Sequence, residues 1–115
     1  MTFDEFAAEV GCDKQKTLSR FGGNEQLMIR ILKKFPSDPS YSLLFESAEK
    51  GDVQQCEVHA HTLKGVAANL GLDEISAVCD TVVKNIRNGN TADLNALLGT
   101  LKPMYEKAIK AIESL

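Results

Sequence analysis

The sequence predicts an all-α fold: an antiparallel up-and-down four-helix bundle with short additional N-terminal helices. Three observations predict it. Apolar residues recur at spacings of three and four through every long segment. No segment alternates apolar and polar residues over the length of a strand. The breaks between segments are a few residues long and rich in Gly, Pro, Asn and Asp, which makes neighbouring helices run antiparallel. A chain of 115 residues predicts one domain, 1–115, with short helices over 1–23 and the bundle over 24–113. Apolar content of 43% without tryptophan is supplied mainly by Leu, Ala, Ile and Val, which suits helix packing.

Phe3, Phe6, Ala7 and Val10 give a short amphipathic helix closed by Gly11. Asp13 is placed to cap a second one containing Leu18 and Phe21, broken at Gly22-Gly23. These pieces are expected to lie across the bundle and shield one side. Asn24 starts the next helix, with Leu27, Met28, Ile31, Leu32 and Phe35 as its stripe. Pro36 ends or kinks it. Asp38-Pro39 reads as an N-cap with proline at the first helical position, and Leu43, Leu44 and Ala48 carry the apolar face on to Gly51. Together these two segments predict a nearly continuous helix bent at 36–39. Asp52 caps the central helix, with Gln55 placed for a capping-box-like pair, and Gly71 closes it. Asp73 is expected to cap a helix burying Ile75, Val78, Cys79, Val82 and Ile86, ended by Gly89. Thr91 is expected to cap the last, which runs through Leu94, Leu97, Leu98, Leu101, Tyr105, Ala108 and Ile112 with a kink at Pro103.

The central helix carries the chemistry. Cys56, Ala60, Leu63, Ala67 and Leu70 make its seam. At about 100° per residue His61 points roughly 140° away from that seam, toward water, and His59 lies on the flank about 60° from it. Lys64 and Gly65 follow His61 by one turn and Ala68 by two, on the same side. A glycine inside a helix costs roughly 0.5–1 kcal/mol relative to alanine. Gly65 therefore either clears space for another molecule to reach the imidazole or lets a neighbouring helix pass.

His61-Thr62-Leu63-Lys64-Gly65, followed by Ala67-Ala68-Asn69-Leu70-Gly71, resembles the signature of histidine-containing phosphotransfer (HPt) domains. The similarity runs without gaps through Val78-Cys79 to Arg87-Asn88-Gly89, and a weaker likeness reaches back to Leu18-Ser19-Arg20-Phe21-Gly22-Gly23-Asn24. The resemblance implies a phosphorelay intermediate of two-component signal transduction. His61 would be the phosphoacceptor, Lys64 its electrostatic support and Gly65 the clearance. It also implies receiver domains and a hybrid sensor histidine kinase as partners, with Mg²⁺ held by the receiver and no cofactor on this chain. Some relatives carry a basic residue where Arg87 stands, and Arg87 and Lys84 reach the His61 face if their helix runs antiparallel. The alternative reading of both is complementation of a helix C-terminus. Where some relatives carry Gln, this chain has Val83, which removes one expected hydrogen bond. Asn69 lies on the exposed side, where a partner can touch it.

Other chemistries are excluded by what is missing. His59 and His61 are about 200° apart on a helix and cannot share a metal ion. There is no P-loop, G-x-G-x-x-G or G-x-S-x-G, hence no kinase activity of its own. Asp73-Glu74 fits the dipole of a helix start. Net charge of −3 gives no basic field for nucleic acid or anionic membrane. No apolar run approaches the ~20 residues of a membrane span, and the N-terminus lacks the pattern of a secretory signal. Cys12, Cys56 and Cys79, odd in number and widely spaced, suggest reduced thiols in a cytoplasmic monomer. The reading from another class is a non-catalytic helical adaptor that binds a signalling partner. It would not require His61.

Overall fold

A computed structural model describes residues 1–115. Seven α-helices follow one another: α1 (Phe3–Val10), α2 (Lys14–Arg20), α3 (Glu25–Leu32), α4 (Ser40–Glu49), α5 (Val53–Asn69), α6 (Asp73–Arg87) and α7 (Leu94–Glu113). A 3₁₀ turn, Phe35–Ser37, separates α3 from α4. Side-chain caps sit at the starts of α2, α3 and α5, where Asp13, Asn24 and Asp52 accept the backbone N–H of Lys16, Leu27 and Gln55. At α1 a full capping box joins Thr2 and Glu5, a signal the sequence reading missed. Gln55 returns no side-chain bond to Asp52, whose N–H goes to the Ser47 carbonyl.

Several boundaries differ from expectation. Asp73 does not cap α6. Leu72, almost fully buried, occupies the cap position and leaves Asp73 as the first helical residue. Thr91 does not cap α7 either. The Asn90 side chain takes the Ala92 N–H, the chain turns once more, and the helix begins after Asp93. α3 and α4 are two separate helices. A proline ring clashes with the carbonyl four residues earlier. Pro36 would meet Leu32, and Leu32 is where α3 stops. Asp38 still serves the start of α4, its carboxylate accepting the Ser40 N–H, with Pro39 one place earlier than expected. Leu43 is exposed and only Leu44 fills the core. α7 continues through Pro103 as one helix.

Helix α5 lies between α4 and α6, α7 packs on α6, and α1 lies on α7. Tyr41 of α4 and Tyr105 of α7 stack with ring centroids 3.7 Å apart, closing α4–α5–α6–α7 into a ring of four. The predicted seam of α5 is entirely inside: Cys56, Ala60, Leu63, Ala67 and Leu70 are all buried in one continuous core. Small residues at 60 and 67 let the neighbouring helices close on it. α2 meets the far end of α5. The Arg20 guanidinium donates to the Ala68 carbonyl at 2.7 Å, beside the Gly71 N–H that this carbonyl also accepts. No helix is long and apolar enough to cross a membrane.

Candidate functional site

With the seam of α5 packed inward, its opposite side has to be open. His61 is exposed and His59 half-buried, as their angles predicted. Around His61 the helix offers Val58, Gly65 and Asn69, all exposed, and Ala68, half-buried. Val58 is one turn before His61 and half exposed at 50%, one of few large apolar side chains left in water. A lone valine carries no mark of function in the sequence, although its spacing from His61 places it on this face. Thr62 keeps its hydroxyl on the Val58 carbonyl at 3.1 Å.

Gly65 resolves one open alternative. A Cβ built there meets nothing within 4 Å. No neighbouring helix needs the glycine, so the bare backbone faces solvent one turn from the imidazole. Its register is fixed from behind, where the Ser76 hydroxyl of α6 donates to the Lys64 carbonyl at 3.1 Å.

Lys64 is turned toward α6. Its ammonium bonds Asp80 Oδ1 at 3.1 Å, while Asp80 Oδ2 takes Lys84 at 2.8 Å. The two lysines, Lys84 first, hold the Asp80 carboxyl below the usual carboxylate range. Arg87 also crosses between the helices, its Nε donating to Glu57 Oε1 at 2.6 Å. Glu57 stands one turn before His61 and Lys64 one turn after it. His61 thus lies between two α5–α6 ion pairs, with the three cations Lys64, Lys84 and Arg87 facing the two carboxylates Asp80 and Glu57. Neither Asp80 nor Glu57 stood out in the sequence, because an acid on a polar helix face carries no mark of its cross-helix partner. Val83 is buried and contributes no polar group.

Beyond Asn69 the exposed face runs into a cavity of about 390 Å³. Phe21, Ile31, Phe35, Val66 and Leu70 line it, together with the charged Arg20, Lys34 and Asp38. Asn69 also borders it, eight residues past His61 and so about 12 Å along the helix. The Ala68 carbonyl is already occupied by Arg20. No group of three or more His, Cys, Asp or Glu side chains converges anywhere in the chain.

A comparison with protein families matches the Hpt domain model over residues 26–111. The chain belongs to the Hpt domain family. Hpt domains are phosphocarrier modules that perform histidine phosphotransfer in two-component signalling, working with receiver domains and histidine kinases. The matched Hpt segment takes in nearly all of α3 through α7, and helices α1 and α2 precede it. Neither the curated proteins nor the solved structures provide a match to the chain.

Proposed function

We propose that His61 is the phosphoacceptor of this Hpt domain, taking a phosphoryl group from the aspartyl phosphate of one receiver domain and passing it to another. The observation that carries the reading is the setting of that ring. It is exposed on a long helix anchored by five buried seam residues, and bare backbone at Gly65 stands one turn away. A rigid helix holds the nucleophile in one attack position. The lone pair of one ring nitrogen forms the N–P bond as the P–O bond to the aspartyl group breaks. The bonding pair leaves with the aspartyl carboxylate, and the other ring nitrogen keeps its proton. Transfer onward is the same exchange in reverse with a second aspartate.

Lys64 offsets the charge of the bound phosphoryl group by turning from Asp80 to its oxygens, within the reach of an i,i+3 pair. Arg87 and Lys84 add cationic support from α6. Gly65 leaves room for the phosphoryl group and for the receiver's loops. Ala68 and Asn69, with exposed Val58, form the surface on which the receiver sits, giving a modest and transient interface. Mg²⁺ belongs to the receiver's carboxylates, where it neutralises charge on the transferring group. The chain supplies nucleophile and docking surface, without kinase activity of its own, as a monomer in the cytoplasm.

Incubation with a receiver domain carrying radiolabelled phosphate tests this. His61→Ala should take up no label, and His59→Ala should label like the wild type. The label on the wild type should be acid-labile and base-stable. A His61→Ala chain that labels as well as the wild type would refute the assignment.

A further inference from the structure

Lys64 is not waiting unpaired beside His61. It is engaged by a carboxylate that also holds Lys84. Given His61 as the phosphoacceptor, we propose that Asp80 is a positioning residue that tunes how tightly this surface holds the phosphoryl group, by competing with it for Lys64 and Lys84.

The geometry supplies the competition. Asp80 uses both carboxylate oxygens, one for each lysine, at 3.1 and 2.8 Å. Lys64 sits on the His61 helix, and Lys84 follows Asp80 by one turn on α6. A phosphohistidine would place up to two negative charges beside the same ammonium groups. Each lysine then partitions between a fixed carboxylate and a transient phosphate. Both Asp80 and Lys64 are about one-third exposed, so water screens the exchange and neither partner is held irreversibly. A carrier must release its cargo. A site with unopposed lysines would bind phosphate more strongly and slow its departure, whereas a permanent carboxylate returns the lysines to an ion pair as the phosphoryl group leaves. Asp80 therefore favours the unphosphorylated chain and keeps the transfer potential of the phosphohistidine high. Glu57 restrains Arg87 on the other side of His61 in the same manner.

The test uses the full chain with His59→Ala as background, phosphorylated at His61 by phosphoramidate. The ³¹P chemical shift is titrated to find the second ionisation of the phosphoryl group. Asp80→Asn keeps the side-chain shape and removes the charge. It should lower that ionisation by roughly 0.2–0.7 pH unit, because freed ammonium groups favour the dianion. Asp80→Glu should restore the wild-type value. In the background Lys64→Ala plus Lys84→Ala the Asp80→Asn shift should largely vanish. In exchange with an acetyl-phosphate-charged receiver, Asp80→Asn should move the equilibrium roughly 1.5–5-fold toward the phosphorylated chain. Asp80→Ala repeats the test without the amide, with circular dichroism confirming the helix content of each variant.

An unchanged or raised ionisation in both Asp80→Asn and Asp80→Ala overturns the proposal. So does a shift that persists without the lysines, since Asp80 would then act by direct repulsion. Failure of the receiver to label His61 refutes the phosphoacceptor assignment instead, and the titration of chemically phosphorylated His61 reads the competition separately.

Discussion

At the scale of single residues, two glycines on or beside α5 behave oppositely. Gly65 has a helical backbone and open space where a Cβ would go. Gly65→Ala should therefore raise stability by about 0.5–1 kcal/mol, read as a higher melting temperature. With His61 as the proposed phosphoacceptor, the same variant should slow phosphotransfer, because the added methyl group would stand one turn from the reacting nitrogen. A gain in stability without loss of transfer would remove the clearance role. Gly71 has φ of 74°, and a Cβ there would come within 2.4 Å of Thr17 Oγ1 and 2.6 Å of Cys12 Sγ. Gly71→Ala should cost about 1–3 kcal/mol or more, since a left-handed backbone and a packed neighbour both oppose it. The outward face of His61 was legible in the sequence because the angle of a side chain on a helix follows from its number, whereas Lys64, expected to stand free beside it, turns toward α6. The pairing of Lys64 with Asp80 was not legible, because 16 residues and a turn separate them.

At the scale of elements, α5 is the support on which the site depends, and its seam decides whether His61 is held still. Leu63 is almost fully buried. Leu63→Ala should cost about 2–5 kcal/mol in denaturant unfolding, a range set by how far the site collapses. Arg20→Ala removes only the bond from α2 to the Ala68 carbonyl. It should loosen the end of α5, seen as faster amide exchange over 67–72, while the melting temperature falls little. Most helices were legible because their stripes held a period over two or more turns; α2, under two turns long, showed through its Asp13 cap, and α3 and α4 are separate helices, not one bent at 36–39. Helix starts were less legible. Asp73 and Thr91 are good capping residues by type, yet each helix begins where packing puts it: buried Leu72 takes the cap position at α6, and the extra turn at Asn90 delays α7. Packing outweighs a cap worth about 1 kcal/mol.

At the scale of the whole molecule, a single core explains the behaviour of the thiols, and the α5–α6 ion pairs shape the response to pH. Cys12, Cys56 and Cys79 are all buried and free. Burial pushes the Cys79 thiol up to about 12. Cys79 should resist alkylation at neutral pH in the folded chain and react only on unfolding, which makes its labelling rate a measure of opening of the core. Two carboxylates sit below their ordinary range, Glu5 through its bonds to Thr2 and Asp80 through its two lysines, and the share of the acid response next to the site runs through Asp80. Its carboxyl sits below the usual range when folded, so the stability it lends is present above about pH 4 and is lost as pH falls through the lowered value. Asp80→Asn should flatten the acid limb of stability against pH, and high salt should do the same in the wild type, because these ion pairs are partly exposed.

The sequence by itself determined that the chain is helical, that the seam of α5 is buried and that His61 looks outward, because these follow from a local period of 3.6 residues. Only the tertiary structure decided that Lys64 is shared with Asp80, that Arg87 is held by Glu57, that nothing packs on Gly65 and that a cavity opens beyond Asn69. Those facts depend on which helices are neighbours and at what register, and residues far apart in the chain meet only after the core has set both.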